Sequence, residues 1–154
     1  ALSATGYYQA DSSTFDLYHG HYTDNGWEFI AYCFASVEGY SSIGSYTGNG
    51  STDGPFVHTG FKPRWILIKS SSNAEDWRIY DTARDTYNLS TNKLYPNLSN
   101  SENGATNASA STNTLDILSN GFKLRTSNSA TNGSGYTFIY LAVAENPFKI
   151  TRAR

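Results

Sequence analysis

The sequence predicts an all-β fold: a two-sheet β-sandwich of jelly-roll or concanavalin-like type with little or no helix. Three observations lead there. Apolar residues recur at the short intervals of strands, not at the i, i+3, i+4, i+7 spacing of a helix face. Ser, Thr, Asn and Gly supply 63 of the 154 residues while aromatics make up 15%, a composition of many turns with bulky material to bury between them. Asn-Gly pairs stand between apolar runs at 25–26 and 120–121, where a type I′ hairpin turn needs two residues that accept positive φ.

The strands follow in order. Residues 15–23 and 27–35 form a hairpin across Asn25-Gly26. Residues 65–69 and 77–81 are two strands joined by the polar turn SSSNAED. The clearest hairpin is LDILS-NG-FKLRT, residues 115–126, and the last long strand is 136–145. An internal echo links two of these segments. WEFIAYCFASV (27–37) aligns without a gap to YTFIYLAVAEN (136–146), matching Phe29 to Phe138, Ile30 to Ile139 and Ala35 to Ala144. Both segments are apolar on both faces, which predicts two covered central strands, with Cys33 in the core, in positions that allow them to be neighbours in one sheet. Two buried strands of similar composition give the same echo without any such relation.

A chain of 154 residues is one domain, 1–154, large enough to bury about 68–70% of its unfolded surface. Within it, residues 84–114 form a long polar loop or insertion anchored by few apolar side chains, the kind of segment that carries contacts. A net charge of -2 with only 16% charged residues leaves no basic face for nucleic acid. No run approaches 18 apolar residues, so no membrane insertion is expected, and the single cysteine permits no intrachain disulfide.

The chemistry-bearing residues do not assemble into a catalytic motif. Glu28, Glu38, Glu75, Glu102 and Glu145 are scattered, without the alternating carboxylates that sandwich glucanases carry on one strand. No G-x-S-x-G elbow occurs. His19 and His21 share one side of a strand, but nothing in the sequence brings His58 to them as a third ligand. Asp53 lacks calcium-loop spacing and reads as an Asp-Gly turn; Gly44, Gly48, Gly50 and Gly54 likewise read as turn residues. The five Asn-x-Ser sequons, at Asn49, Asn88, Asn97, Asn107 and Asn132, are what an Asn- and Ser-rich chain supplies by chance. The expectation is a non-enzymatic protein with no catalytic residues, no metal and no cofactor.

Residues 37–69, VEGYSSIGSYTGNGSTDGPFVHTGFKPRWILIK, and 145–149, ENPFK, point further. They resemble a lectin/glucanase-like β-sandwich domain that recurs in the fibre-like virion structural proteins of tailed phages, and the resemblance covers roughly residues 27–149. It implies a virion or extracellular location, with copies of the chain itself and other virion proteins as partners. The residues themselves add a ligand reading. The segment DWRIYDTARDTYN mixes aromatic faces, which pack on the C–H faces of sugars, with groups that satisfy hydroxyls. Trp77, Asp81, Arg84, Tyr87 and Asn88 are the candidate contacts to a host surface glycan. The opposing reading has Trp77 and Ile79 alternating as core residues, Asp81 simply pairing Arg84 across a turn, and the domain acting as a decoration or fibre-building unit without a ligand.

Overall fold

In the computed structural model, residues 7–10, 14–18, 28, 30–102 and 114–147 are described. The chain divides into two units, residues 1–33 and 34–154. In the first, β1 (Tyr7–Ala10) pairs antiparallel with β2 (Phe15–Tyr18), Tyr7 opposite Tyr18. The second holds two antiparallel sheets. The strands β3 (Ser41–Thr47), β5 (Pro63–Ser70), β6 (Arg78–Asp81) and β9 (Thr137–Ala144) make a four-stranded sheet in the order β3-β9-β5-β6. The strands β4 (Phe56–His58), β7 (Leu115–Leu118) and β8 (Gly121–Leu124) make a three-stranded sheet in the order β4-β8-β7. The helix α1 (Ser129–Asn132) is a single turn. The expected two-sheet β-sandwich is the fold observed.

Alternation builds the core between the sheets. In β9 the even residues Phe138, Tyr140, Ala142 and Ala144 are buried, and Ile66 and Ile68 of β5 fall on the same side. From the opposite sheet come Val57, Leu115, Ile117, Phe122 and Leu124. Phe122 meets Tyr46 and Tyr140 edge-on across the gap, with ring centroids 6.2 and 5.6 Å away, while Tyr46 stacks on Phe138 at 5.1 Å. The Tyr46 hydroxyl donates to the Thr131 carbonyl at 2.7 Å. Burial holds the phenols of Tyr46 and Tyr80 well above their ordinary pKa. Lys93 is also fully buried; desolvation, then the nearby Arg78 charge, pull its amine below the usual lysine range against the opposing pull of Asp85.

α1 pins the 48–54 loop. Asn132 is fully buried; its amide nitrogen donates to Asn49 Oδ1 and to the carbonyls of Ser51 and Thr126, and its side-chain oxygen accepts from Asn49 N–H. Gly50, at φ 66°, is a turn residue as expected. Gly44 is not: it lies within β3 beneath the Tyr140 ring, 3.0 Å from where a Cβ would sit.

Several expectations are corrected. Residues 28 and 30–35 form no strand, and Ile30, Tyr32 and Phe34 are 79, 79 and 66% exposed. Cys33 is exposed, not in the core. An apolar run becomes a strand only with a ladder partner, and pairing here starts no earlier than Val37, which bridges to Ser41 across a turn through Gly39. The neighbours of β9 are therefore β3 and β5, not the 27–35 segment. Residues 19–27 and Phe29, with the Asn25-Gly26 turn, His19 and His21, lie outside the described residues. In β6 the parity is reversed: Arg78 and Tyr80 point inward, while Trp77 and Ile79 are half-buried. The pairing Ile66 opposite Tyr80 decides this, because it sets Tyr80 beside a fully buried β5 residue.

The 115–126 hairpin forms, but its turn is one residue earlier than the Asn-Gly signal implied. Leu118 pairs with Gly121, so Ser119 and Asn120 are the loop and Gly121 opens β8. Gly121 is required for a different reason: a Cβ there would run into the Val57 carbonyl and the Phe56 ring.

Candidate functional site

The segment after β6 closes one side of the sandwich. Leu94 bridges to Ile79 of β6, and Ser90 bridges to Leu115 of β7, so one loop binds an edge of each sheet. Asp85 organises its bend. Its Oδ2 accepts from Ser90 Oγ and from the backbone N–H groups of Thr91 and Asn92, and its Oδ1 from the Asn92 amide. Asn88 acts as a piece of strand: its Nδ2 donates to the Ile117 carbonyl and its Oδ1 accepts from the Ile117 N–H, both at 2.9 Å. With the side chain of Asn88 so occupied, the neighbouring Tyr87 is held out in solvent, 86% exposed.

This loop borders a cleft of about 340 Å³ lined by Lys62, Thr82, Asp85, Thr86, Tyr87, Asn88, Ile117 and Glu145. Such a volume lies at the small end of the roughly 300–1,000 Å³ of ligand pockets. Lys62 and Glu145 form an ion pair at 2.8 Å, and the Glu145 N–H also donates to the Lys62 carbonyl at 2.9 Å. Thr82 is fixed through its backbone, donating to the Arg64 carbonyl, yet its hydroxyl is buried with no hydrogen-bond partner. A buried hydroxyl left unpaired costs about 1–3 kcal/mol.

Of the residues the sequence singled out, Tyr87 and Asn88 border the cleft; Trp77, Asp81 and Arg84 are not among its lining residues. Trp77 precedes β6, half-buried, its backbone N–H donating to Asn97 Oδ1. Asp81 does not pair Arg84 side chain to side chain. It accepts from the Ala83 N–H and faces Arg64 at 3.4 Å, while Arg84 reaches Glu102 at 2.8 Å. The geometry of β6 explains the exchange: Asp81 sits opposite Trp65, which places it beside Arg64 on the next strand. Sequence reasoning missed Thr82, Lys62 and Glu145. Thr82 lay inside the segment already singled out, but only its burial without a partner marks it.

Elsewhere, Asp53 pairs with Lys123 at 2.8 Å and lies 3.5 Å from Arg125, which hold its carboxylate below the ordinary range, the Lys123 hydrogen bond first. His58 lies exposed on β4 beside the Phe56 ring. Among the described residues, no group of three or more His, Cys, Asp and Glu side chains is placed to hold a metal ion. No helix is long and apolar enough to cross a membrane among them.

Two facing antiparallel sheets, with a loop across one side and a small polar cleft beside it, define the class: an all-β sandwich domain. The chain belongs to the DUF7483 family, a domain of unknown function, which matches residues 2–147. Neither the curated proteins nor the solved structures gave a match.

Proposed function

We propose that this domain is a non-enzymatic surface module of a virion that binds a host glycan in the Tyr87 cleft. The carrying observation is the Tyr87 ring, held 86% exposed at the border of a small polar cleft. A sugar supplies an apolar C–H face for the ring and hydroxyls for the polar groups of the cleft. The two lining carboxylates favour binding over catalysis. Asp85 is saturated by loop donors and Glu145 is paired to Lys62, so neither is placed as the free acid or nucleophile of a glycosidase. The virion setting rests on the sequence resemblance in residues 37–69 and 145–149. A second reading, a building block without a ligand, draws on the apolar outer face of the four-stranded sheet, where Ile43 and Ile139 are 38 and 42% exposed.

A glycan array followed by calorimetry tests the first reading. Tyr87→Ala is expected to weaken sugar binding at least about tenfold, or about 1.4 kcal/mol, with thermal unfolding unchanged. No signal from the unaltered domain at millimolar sugar across a broad array transfers the case to the building-block reading.

A further inference from the structure

An asparagine followed by glycine can react with its own backbone. The glycine nitrogen, unshielded by a side chain, attacks the asparagine Cγ. The N–Cγ bond forms, the Cγ–Nδ2 bond breaks, and ammonia leaves with the proton of the glycine N–H. Water then opens the five-membered ring at either carbonyl, leaving aspartate or isoaspartate. The chain holds five such pairs, at 25–26, 49–50, 103–104, 120–121 and 132–133, and the second, fourth and fifth lie among the described residues. The reaction needs an amide free to swing onto the next nitrogen, and water beside it.

The fold locks two of these three. Asn132 is fully buried, its amide nitrogen donating to three oxygens. Asn49 is exposed, but its Oδ1 accepts from the Ser51 N–H and from Asn132 Nδ2, and its Nδ2 donates to the Asp53 carbonyl. The attacking Gly50 N–H is itself tied to the Asn132 carbonyl at 2.8 Å. Asn120 differs: it is exposed in the turn between β7 and β8, and its side chain makes no hydrogen bond among the described residues. Gly121 pairs with Leu118 on the last rung of the ladder, beside the turn, where a ladder frays most readily. The glycine cannot be exchanged to prevent the reaction, because a Cβ at 121 would strike the Val57 carbonyl.

We propose that Asn120 is a site of spontaneous modification in the folded protein, converting to aspartate and isoaspartate while Asn49 and Asn132 are spared. The change reaches β4. The Asn120 carbonyl accepts from the N–H groups of Thr59 and Gly60, at 3.0 and 3.2 Å, and so holds the chain just after β4. In isoaspartate the backbone runs through Cγ: it gains one carbon, and the former carbonyl becomes a side-chain carboxylate. Both bonds lose their fixed acceptor, and β4, the edge strand of its sheet, loosens at that end.

Incubation of the folded protein in warm, mildly alkaline buffer tests this, with peptide mapping and fragment ions placing each gain of one mass unit. Conversion at Asn120 is expected at least about tenfold faster than at Asn49 or Asn132, which must wait for local unfolding. In denaturant the three are expected to react at similar rates, since only the fold separates them. Asn120→Gln, whose amide would have to close a slower six-membered ring, is expected to abolish the change at this turn. Amide exchange at Thr59 and Gly60 is expected to quicken in the converted protein. Asn49 or Asn132 reacting as fast as Asn120 in the folded protein overturns the proposal. So does an Asn120 left intact when a free peptide of sequence LSNGFK is fully converted. Unchanged exchange at Thr59 and Gly60 overturns the reach into β4.

Discussion

Phe138→Ala is expected to lower the stability of the 34–154 unit by about 3–5 kcal/mol, read from the midpoint of a denaturant titration at unchanged slope. Phe138 has no exposure, lies in β9 with strands on both sides, and stacks on Tyr46, itself in contact with Phe122 of the other sheet. Removing the ring opens a void where both sheets meet, and β9 has little freedom to collapse into it because it is laddered to β3 over seven residue pairs. A loss below about 1 kcal/mol would show that the core closes over the gap, against the range known for buried aromatic truncations.

The second large effect is expected in alkali. Tyr46 and Tyr80 have folded pKa values raised above their ordinary value of 10.0, by burial first in each case. Above about pH 10 the unfolded chain releases both phenolic protons while the folded chain keeps them, so the folded state binds more protons and stability falls as pH rises. Each tyrosine contributes a slope of about 1.4 kcal/mol per pH unit, about 2.7 for the two, until the folded phenols also titrate. Below pH 10 both forms are protonated and neither tyrosine contributes a pH dependence. Denaturant titrations at pH 9, 10, 11 and 12 measure the slope. Tyr80→Phe is expected to remove about half of the decline, and a pH-independent stability from 10 to 12 would refute the assignment.

The fold class was legible because it depends on what the sequence displays: turn residues between runs of apolar and aromatic side chains. Individual strands were legible where the two alternating faces differ, or where, as in β9, both are apolar and any register buries something. β6 shows the limit. Trp77 and Ile79 make one apolar face, but Tyr80 lies on the other, and pairing with β5 brings Tyr80 and Arg78 inside. The 27–35 stretch shows another: its composition is that of a buried strand, but burial is a property of a partner that composition does not name. In the candidate site, Tyr87 stood out as an aromatic in a long polar segment. Lys62, Thr82, Ile117 and Glu145 come from four separate stretches, and the sheets alone bring them to one cleft.

The loop that ties Leu94 to Ile79 and Ser90 to Leu115 has a consequence for growth. Each sheet has two edges, and this loop occupies one edge of both, β6 in one and β7 in the other. On the far side, β3 is engaged in turn, at Ser41 by Val37 and at Ile43 by the Ser36 hydroxyl, which accepts from the Ile43 N–H. Among the described residues both edges of the four-stranded sheet are therefore partly blunted, which limits edge-to-edge association in a chain so rich in uncharged, strand-forming residues.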